Sequence, residues 1–388
     1  MISAWSSAFI AAIVGFGGTI ALLVQALQAL GASDGQLMSA ITTLCIGIGG
    51  LGMVLSFWLR MPVVLAWSTP GAALLAASAS VSASGLNWPI AIGIFISAGA
   101  LMLLVGVVPM LGRLAAAIPS SVASAMLAGV LLPFCLGLFR AMESDALFVI
   151  ILLTIFLLGR QLVPLYAMLL VLAAGIGMLL LRGQLALAPG GPVLGHIELV
   201  MPVFDPAMIA SVAVPLFLVT LVSQNLPGLV VLRTSGYAAP SRPLIAGTGL
   251  ATMLLAPLGA YAVNLAAITA AICTGEDAHP DKQKRWVVGV IYGFFYLLLA
   301  LFAPMLVRLF ISMPSAAIAA LTGLALIVPL TGAMEHMLAN KGERDAAIIT
   351  FAATASGITL FGVGAAFWGL TAGFAALGTK RLVGRLKC

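Results

Sequence analysis

Between Arg60 and Arg113 the chain runs through 52 residues without one charged side chain. An ionised group near the centre of a bilayer costs several kcal/mol, so long charge-free windows are the mark of membrane spans. A span needs about 20 apolar residues, and this window holds two. Residues 1–59 carry only Asp34, and residues 346–379 carry no charge at all. The whole chain of 388 residues is 63% apolar and 7% charged, against about 25% charged in an ordinary soluble domain. A water-soluble globule could not cover its surface with so few polar groups. Disorder is excluded as well, because disordered chains are poor in apolar residues and rich in charge.

Charged and turn-forming residues divide the chain into spans. Residues 1–59 hold two helices with a turn near Gly31–Gly35, and 61–112 hold two more, divided near Ser84–Pro89. Three further spans fit 119–138, 146–159 and 162–181, followed by a polar linker at 182–205. The second half repeats the count at 206–232, 243–257, 258–275, 286–307, 314–334, 346–357 and 358–378. That makes 14 spans, with 12 as the alternative if the shortest do not cross. With the N-terminus in the cytoplasm, 14 of the 17 Lys and Arg fall in inner loops, and only Arg140, Arg182 and Arg308 fall outside. This positive-inside bias predicts that both termini are cytoplasmic. The net charge of +6 is spread singly along the chain, so it reads as topology and not as a nucleic-acid surface. No Lys or Arg precedes Arg60, so no secretory signal peptide is expected. Cys45, Cys135, Cys273 and Cys388 are far apart and predict neither a disulfide framework nor a metal cluster.

The chain also repeats itself. Residues 109–120 read PMLGRLAAAIPS and 304–315 read PMLVRLFISMPS, identical at seven of twelve positions. Near the same offset, Gln28 falls on Gln224. Convergence of apolar low-complexity sequence is the alternative. Seven spans per half, an odd number, make the two copies oppositely oriented, and Arg113 and Arg308 fall on opposite sides accordingly. Inverted repeats are a signature of secondary transporters, whose substrate sites lie near midplane where helices are discontinuous.

Two segments carry such breaks. Pro62 and Pro70 cannot both sit in one continuous helix. An extended stretch over 63–68 followed by a half-helix resolves the conflict, with Thr69 as N-cap and Pro70 as first helical residue; a simple proline kink is the alternative. Pro257, Gly259 and Tyr261 interrupt the tenth span in the same way. Aligning Leu75-Ala76-Ala77 with Leu265-Ala266-Ala267 puts Asn264 in the first turn of a second half-helix. Gln25 and Gln28 share one face of the first span, and Gln224 and Asn225 are their counterparts on the eighth. Each of these amides could equally tie helices together. His196, His279 and His336 fall in loops or at helix ends, and Glu276, Asp277, His279 and Asp281 resemble a metal site by composition alone.

The segments WSTPGAALLA (67–76), SQNLPGLVVLR (223–233) and NLAAITAAICTG followed by EDAHPD (264–281) resemble those of the BenE-type benzoate transporters. The likeness runs along essentially the whole chain. It implies an all-α polytopic fold with the 7+7 inverted repeat shared by uracil/xanthine and sulfate/anion carriers, with short strands before half-helices 3 and 10. It also implies core segments at 1–115 and 200–312 and gate segments at 116–199 and 313–388. Nucleobase carriers tend to place acidic residues on spans 8 and 10, where this chain has Gln224 and Val263. Amides and helix N-termini suit an anion where carboxylates would repel it.

The expected function is proton-coupled import of benzoate or a similar aromatic carboxylate across a bacterial inner membrane, with no cofactor, and the resemblance adds a homodimer as the candidate assembly. A nucleobase or inorganic-anion carrier is the alternative, and an anion channel a more distant one. An embedded enzyme would need His, Asp or Glu constellations within the spans, which this sequence lacks. The expected site comprises Ser68, Thr69, Pro70, Gly71 and Ala72 from the first half-helix, with Tyr261 and Asn264 from the second. Gln25, Gln28, Gln224 and Asn225 close it, and Phe16 or Trp67 lies against the ring. Glu335 and His336 are the expected proton carriers.

Overall fold

The computed structural model describes residues 2–81, 86–110, 119–185, 194–360 and 363–386. Most of the first copy of the repeated segment, including Arg113, lies outside the described residues. So do residues 82–85, at the expected division between two spans, Gly190-Gly191-Pro192 of the linker, and the last two residues.

The first half contains α1 (Ile2–Gly17), α2 (Ile20–Ala29), α3 (Asp34–Leu59), β1 (Leu65–Ala66), α4 (Thr69–Val81), α5 (Trp88–Val107), α6 (Ser120–Arg140), α7 (Met142–Leu162) and α8 (Ala167–Leu181). The second half contains α9 (Pro206–Thr234), α10 (Ser241–Leu255), β2 (Asn264–Leu265), α11 (Ile268–Thr274), α12 (Trp286–Ile311), α13 (Ser315–Ala339), α14 (Arg344–Ala355) and α15 (Ala365–Leu386). Eight of the described helical segments, with α1 and α2 taken as one, are long and apolar enough to cross a membrane. The other expected spans are shorter helices or strand-plus-half-helix units. Local chemistry sets the starts. Ser33 and Gln36 form a capping box ahead of α3. Asn87 accepts from the Ile90 N–H with Pro89 in the first turn of α5, and Asp205 does the same for Met208 behind Pro206.

The packing repeats as the sequence does. α3 packs on α12 and, correspondingly, α10 on α5; α1 packs on α11 as α9 packs on α4; α7 packs on α8 as α14 packs on α15. α6 and α13, which correspond to each other, pack together. Exchanging each segment with the one seven places on maps these contacts onto themselves, as a 7+7 inverted repeat requires. Glycines mark the two crossings. A Cβ on Gly293 would lie 2.6 Å from the Gly49 carbonyl oxygen, and one on Gly249 would lie 2.9 Å from that of Gly99.

At the centre, β1 and β2 pair antiparallel with Leu65 opposite Leu265 and Ala66 opposite Asn264. Non-helical backbone at membrane depth survives only where protein satisfies it, and side chains here complete the task. The Val63 N–H donates to Ser56 Oγ (3.1 Å), and the Val263 N–H donates to Thr252 Oγ1 (2.9 Å). Ser56 and Thr252 are repeat-related hydroxyls at offset 196, each serving the valine just ahead of its strand or at its edge. The Tyr292 hydroxyl donates to the Leu65 carbonyl at 2.9 Å.

The structure corrects two expectations and adds detail to a third. The first span is not one helix: it breaks between Gly17 and Ile20. Asn264 lies in β2, four residues ahead of Ile268, because the chain stays non-helical through Ala266 and turns into the helix only at Ala267. The described part of the polar linker is tied to the core: Glu198 exchanges hydrogen bonds with Ser39, and Val200 and Val203 donate to the Pro257 and Pro89 carbonyls.

Candidate functional site

Two half-helices begin beside the central strands. α4 is capped by Ser68 and not by Thr69: the Gly71 N–H donates to Ser68 Oγ at 2.9 Å, and the Ala72 N–H donates to the Ser68 carbonyl at 2.9 Å. Pro70 has no N–H to offer. The Gly71 and Ala72 groups expected to face a ligand are therefore already used, and Ser68 is fully buried. Its carbonyl also accepts from the Tyr261 hydroxyl, so Tyr261 serves as a strut between the half-helices. Thr69, half-buried, keeps an unspent N–H.

α11 begins differently. No side chain caps it, and the N–H groups of Ile268, Thr269 and Ala270 have no acceptor. Ile268 is 66% exposed, so this end is open to its surroundings. Thr269 is buried, and its hydroxyl and that of Tyr296 lack a hydrogen-bond partner of ordinary geometry, although the Tyr292 hydroxyl stands close to both. Gly15 of α1 faces this cluster: a Cβ there would lie 3.0 Å from the Tyr296 hydroxyl.

Phe16 and Trp67 meet edge to face at 5.4 Å, and Trp67 meets Tyr296 at 6.3 Å. The Trp67 indole N–H donates to Thr19 Oγ1 at 2.8 Å, and Thr19 sits in the break of the first span. The glycine pair at 17–18 that permits this break was the available signal for Thr19. Thr269, Tyr292 and Tyr296 carried no sequence signal, because a hydroxyl on an apolar helix gives no sign of which way it faces.

The amides separate into two groups. Asn225 is buried and engaged throughout: it donates to Asn264 Oδ1 (2.9 Å) and the Thr220 carbonyl (3.3 Å), and it accepts from the Leu265 N–H (3.0 Å). Asn264 keeps one unpartnered donor, Nδ2, on a small cavity that Tyr261, Thr220 and Met102 also line. Gln25 accepts from the Thr322 hydroxyl of α13 at 3.2 Å. Gln28 is exposed at the end of α2, and Gln224 is half-buried without a partner, within a π-helical turn over Leu221–Asn225. Such turns are frequent at functional positions. Glu335 and His336 are exposed near the end of α13 and make no polar contact. Among the described residues no group of His, Cys, Asp and Glu could hold a metal.

The chain matches the family described as benzoate membrane transport protein, BenE, over residues 1–379. It belongs to the BenE family. Its relatives include the inner membrane protein YdcO of Escherichia coli, 41% identical over 94% of this chain and 92% of YdcO. Another is the benzoate membrane transport protein of Acinetobacter baylyi, 35% identical over 97% of this chain and 94% of that protein. Among solved structures, the transmembrane domain of the cyanobacterial bicarbonate transporter BicA is similar with a TM-score of 0.59 and 13% identity, covering 95% of this chain and 97% of that domain. SLC26A9 is similar with a TM-score of 0.67 and 11% identity, covering 97% of this chain and 65% of that one. These likenesses establish a shared fold. The BenE chain is thus a multi-pass membrane protein of a transporter family.

Proposed function

We propose that this BenE chain imports benzoate or a similar aromatic carboxylate by proton symport, with the substrate held between the two half-helices. The observation that carries the reading is the junction of an aromatic wall, Phe16 and Trp67, with unspent donors at the start of α11. A ring packs on the wall while its carboxylate accepts from those donors, aided by the partial positive charge of helix N-termini. The half-buried Gln224 and the Thr69 N–H complete the polar side, and Asn264 bears on it through its free Nδ2. α1–α5 with α9–α12 form the moving core, and α6–α8 with α13–α15 form the gate, so the Gln25–Thr322 bond crosses the boundary between them. All fourteen segments cross an inner membrane with both termini cytoplasmic. The name of the Acinetobacter relative supports benzoate as the substrate.

Uptake of labelled benzoate into proteoliposomes, with and without an inward proton gradient and against uracil and sulfate, tests this reading. Saturable benzoate uptake driven by the gradient is expected; benzoate flux that never saturates would indicate a channel. A second reading, an inorganic-anion carrier, is favoured by the fold shared with a bicarbonate transporter, and the same vesicles loaded for bicarbonate uptake address it.

A further inference from the structure

Arg285 is 7% exposed, and among the described residues it is the one buried side chain with a permanent charge. Its Nε donates to the His279 carbonyl at 2.7 Å and its Nη1 to the Thr274 carbonyl at 2.8 Å. Thr274 is the last residue of α11. Among the described residues no carboxylate pairs with the guanidinium: Glu276, Asp277 and Asp281 share its loop, yet Asp281 pairs with Lys284 and none pairs with Arg285. Burying an unpaired charge is costly, and removing it from water needs a compensating partner. The C-terminal dipole of α11 supplies part of that compensation. The neighbouring Lys282 does a simpler job in water, donating to the Gly236 carbonyl at 2.7 Å across the Tyr237 ring. A loop tether therefore does not require a buried arginine.

We propose that Arg285 is a positioning residue for the carried anion: from the inner end of α11 it supplies the fixed positive charge that a substrate carboxylate at the outer end of the same half-helix sees. This rests on the substrate position given above. Seven residues rising about 1.5 Å each span about 10 Å, and the side chain adds a few ångströms more. At an effective dielectric constant of about 20, one charge at roughly 13–15 Å strengthens anion binding by about five- to tenfold. The guanidinium touches no substrate, so the effect concerns charge and not contact.

The test measures benzoate affinity, at one fixed ionic strength, for purified wild type, Arg285→Lys, Arg285→Gln and Arg285→His. Arg285→Gln is expected to bind benzoate five- to tenfold more weakly, while Arg285→Lys stays within about twofold of wild type. Arg285→His should gain affinity between pH 8 and 5.5 beyond any change in wild type, as its imidazole becomes charged. The wild-type profile controls for Tyr237, Glu276, Asp277, His279 and Asp281, the titratable groups of the two loops around the site. Wild-type affinity in Arg285→Gln, or equal losses in the Gln and Lys variants, overturns the proposal. Should the Gln variant not fold, a pH profile of Arg285→His that matches wild type overturns it equally. A wild type that binds no benzoate refutes the substrate reading instead, and the same four proteins are then compared with bicarbonate.

Discussion

Asn225 and Asn264 stand side by side in one hydrogen-bonded pair, yet the structure gives them opposite sensitivities. Replacing Asn225 with alanine strands the buried Leu265 N–H and removes the partner of Asn264 Oδ1, while the Thr220 carbonyl keeps its place in the helical ladder. A stranded buried group costs about 1–3 kcal/mol, so the two of them should cost about 2–6 kcal/mol. At about 2–4 °C per kcal/mol, taken from domains of 150–250 residues, the melting temperature should fall by roughly 4–24 °C. Replacing Asn264 strands less, since its Nδ2 is already unpartnered, and the Asn225 amide retains the Thr220 carbonyl and the Leu265 N–H. Its cost should appear in binding, at about 1–3 kcal/mol if the free Nδ2 serves the substrate. Thermal melts of detergent-purified protein, read beside benzoate affinity, separate the two. A melting temperature within 2 °C or so of wild type for Asn225→Ala would refute the reasoning, because the strand register would not then depend on that amide.

Three further outcomes follow from the geometry. Gly293→Ala places a Cβ 2.3 Å from Met53 Cγ and 2.6 Å from the Gly49 carbonyl; it should sharply reduce the yield of folded protein by size-exclusion chromatography, whereas Gly50→Ala, with open space around it, should not. Trp67→Phe keeps a ring against Phe16 but loses the 2.8 Å bond to Thr19, so benzoate KM should rise a few-fold, and Trp67→Ala should raise it further; equal KM values in all three proteins would remove the aromatic wall from the site. Glu335→Gln and His336→Ala should both still accumulate benzoate under a proton gradient, since these exposed side chains make no polar contact; loss of gradient-driven uptake in either would identify it as a proton carrier.

Much of the fold was legible because membrane physics writes it in charge. The turn at Gly31–Gly35, the break before Trp88 and the start at Pro206 all fall where charge-free windows end or a capping residue stands. Pro62 and Pro70 likewise required a break, and the structure has one. The site was harder to read. Thr69 was the expected cap because it adjoins Pro70, but Ser68 satisfies Gly71 from one position earlier, a shift no spacing rule distinguishes. Asn264 was aligned by the apolar string Leu-Ala-Ala, which recurs too often in such a chain to fix register. The pairing of Ala66 with Asn264 is a tertiary fact. Ser56 and Thr252 stood in the sequence at the repeat offset, yet only the unpaired backbone beside them reveals what they do.

The repeat relates the two half-helices in topology while their chemistry differs, and that difference bears on how an anion is held. At α4 the cap, the proline and the Tyr261 strut leave Thr69 as the one open N–H of the first turn. At α11 three N–H groups stay open, an unpartnered hydroxyl adjoins them, and a buried guanidinium stands at the far end. A carboxylate between the two gains more from α11, because charge-assisted bonds need donors that are free. The first repeat offers chiefly Phe16 and Trp67, which suit a ring. A pair of identical half-sites would suit a small symmetric anion. Halves that divide into an apolar wall and a donor face suit a molecule with one charged end and one aromatic end.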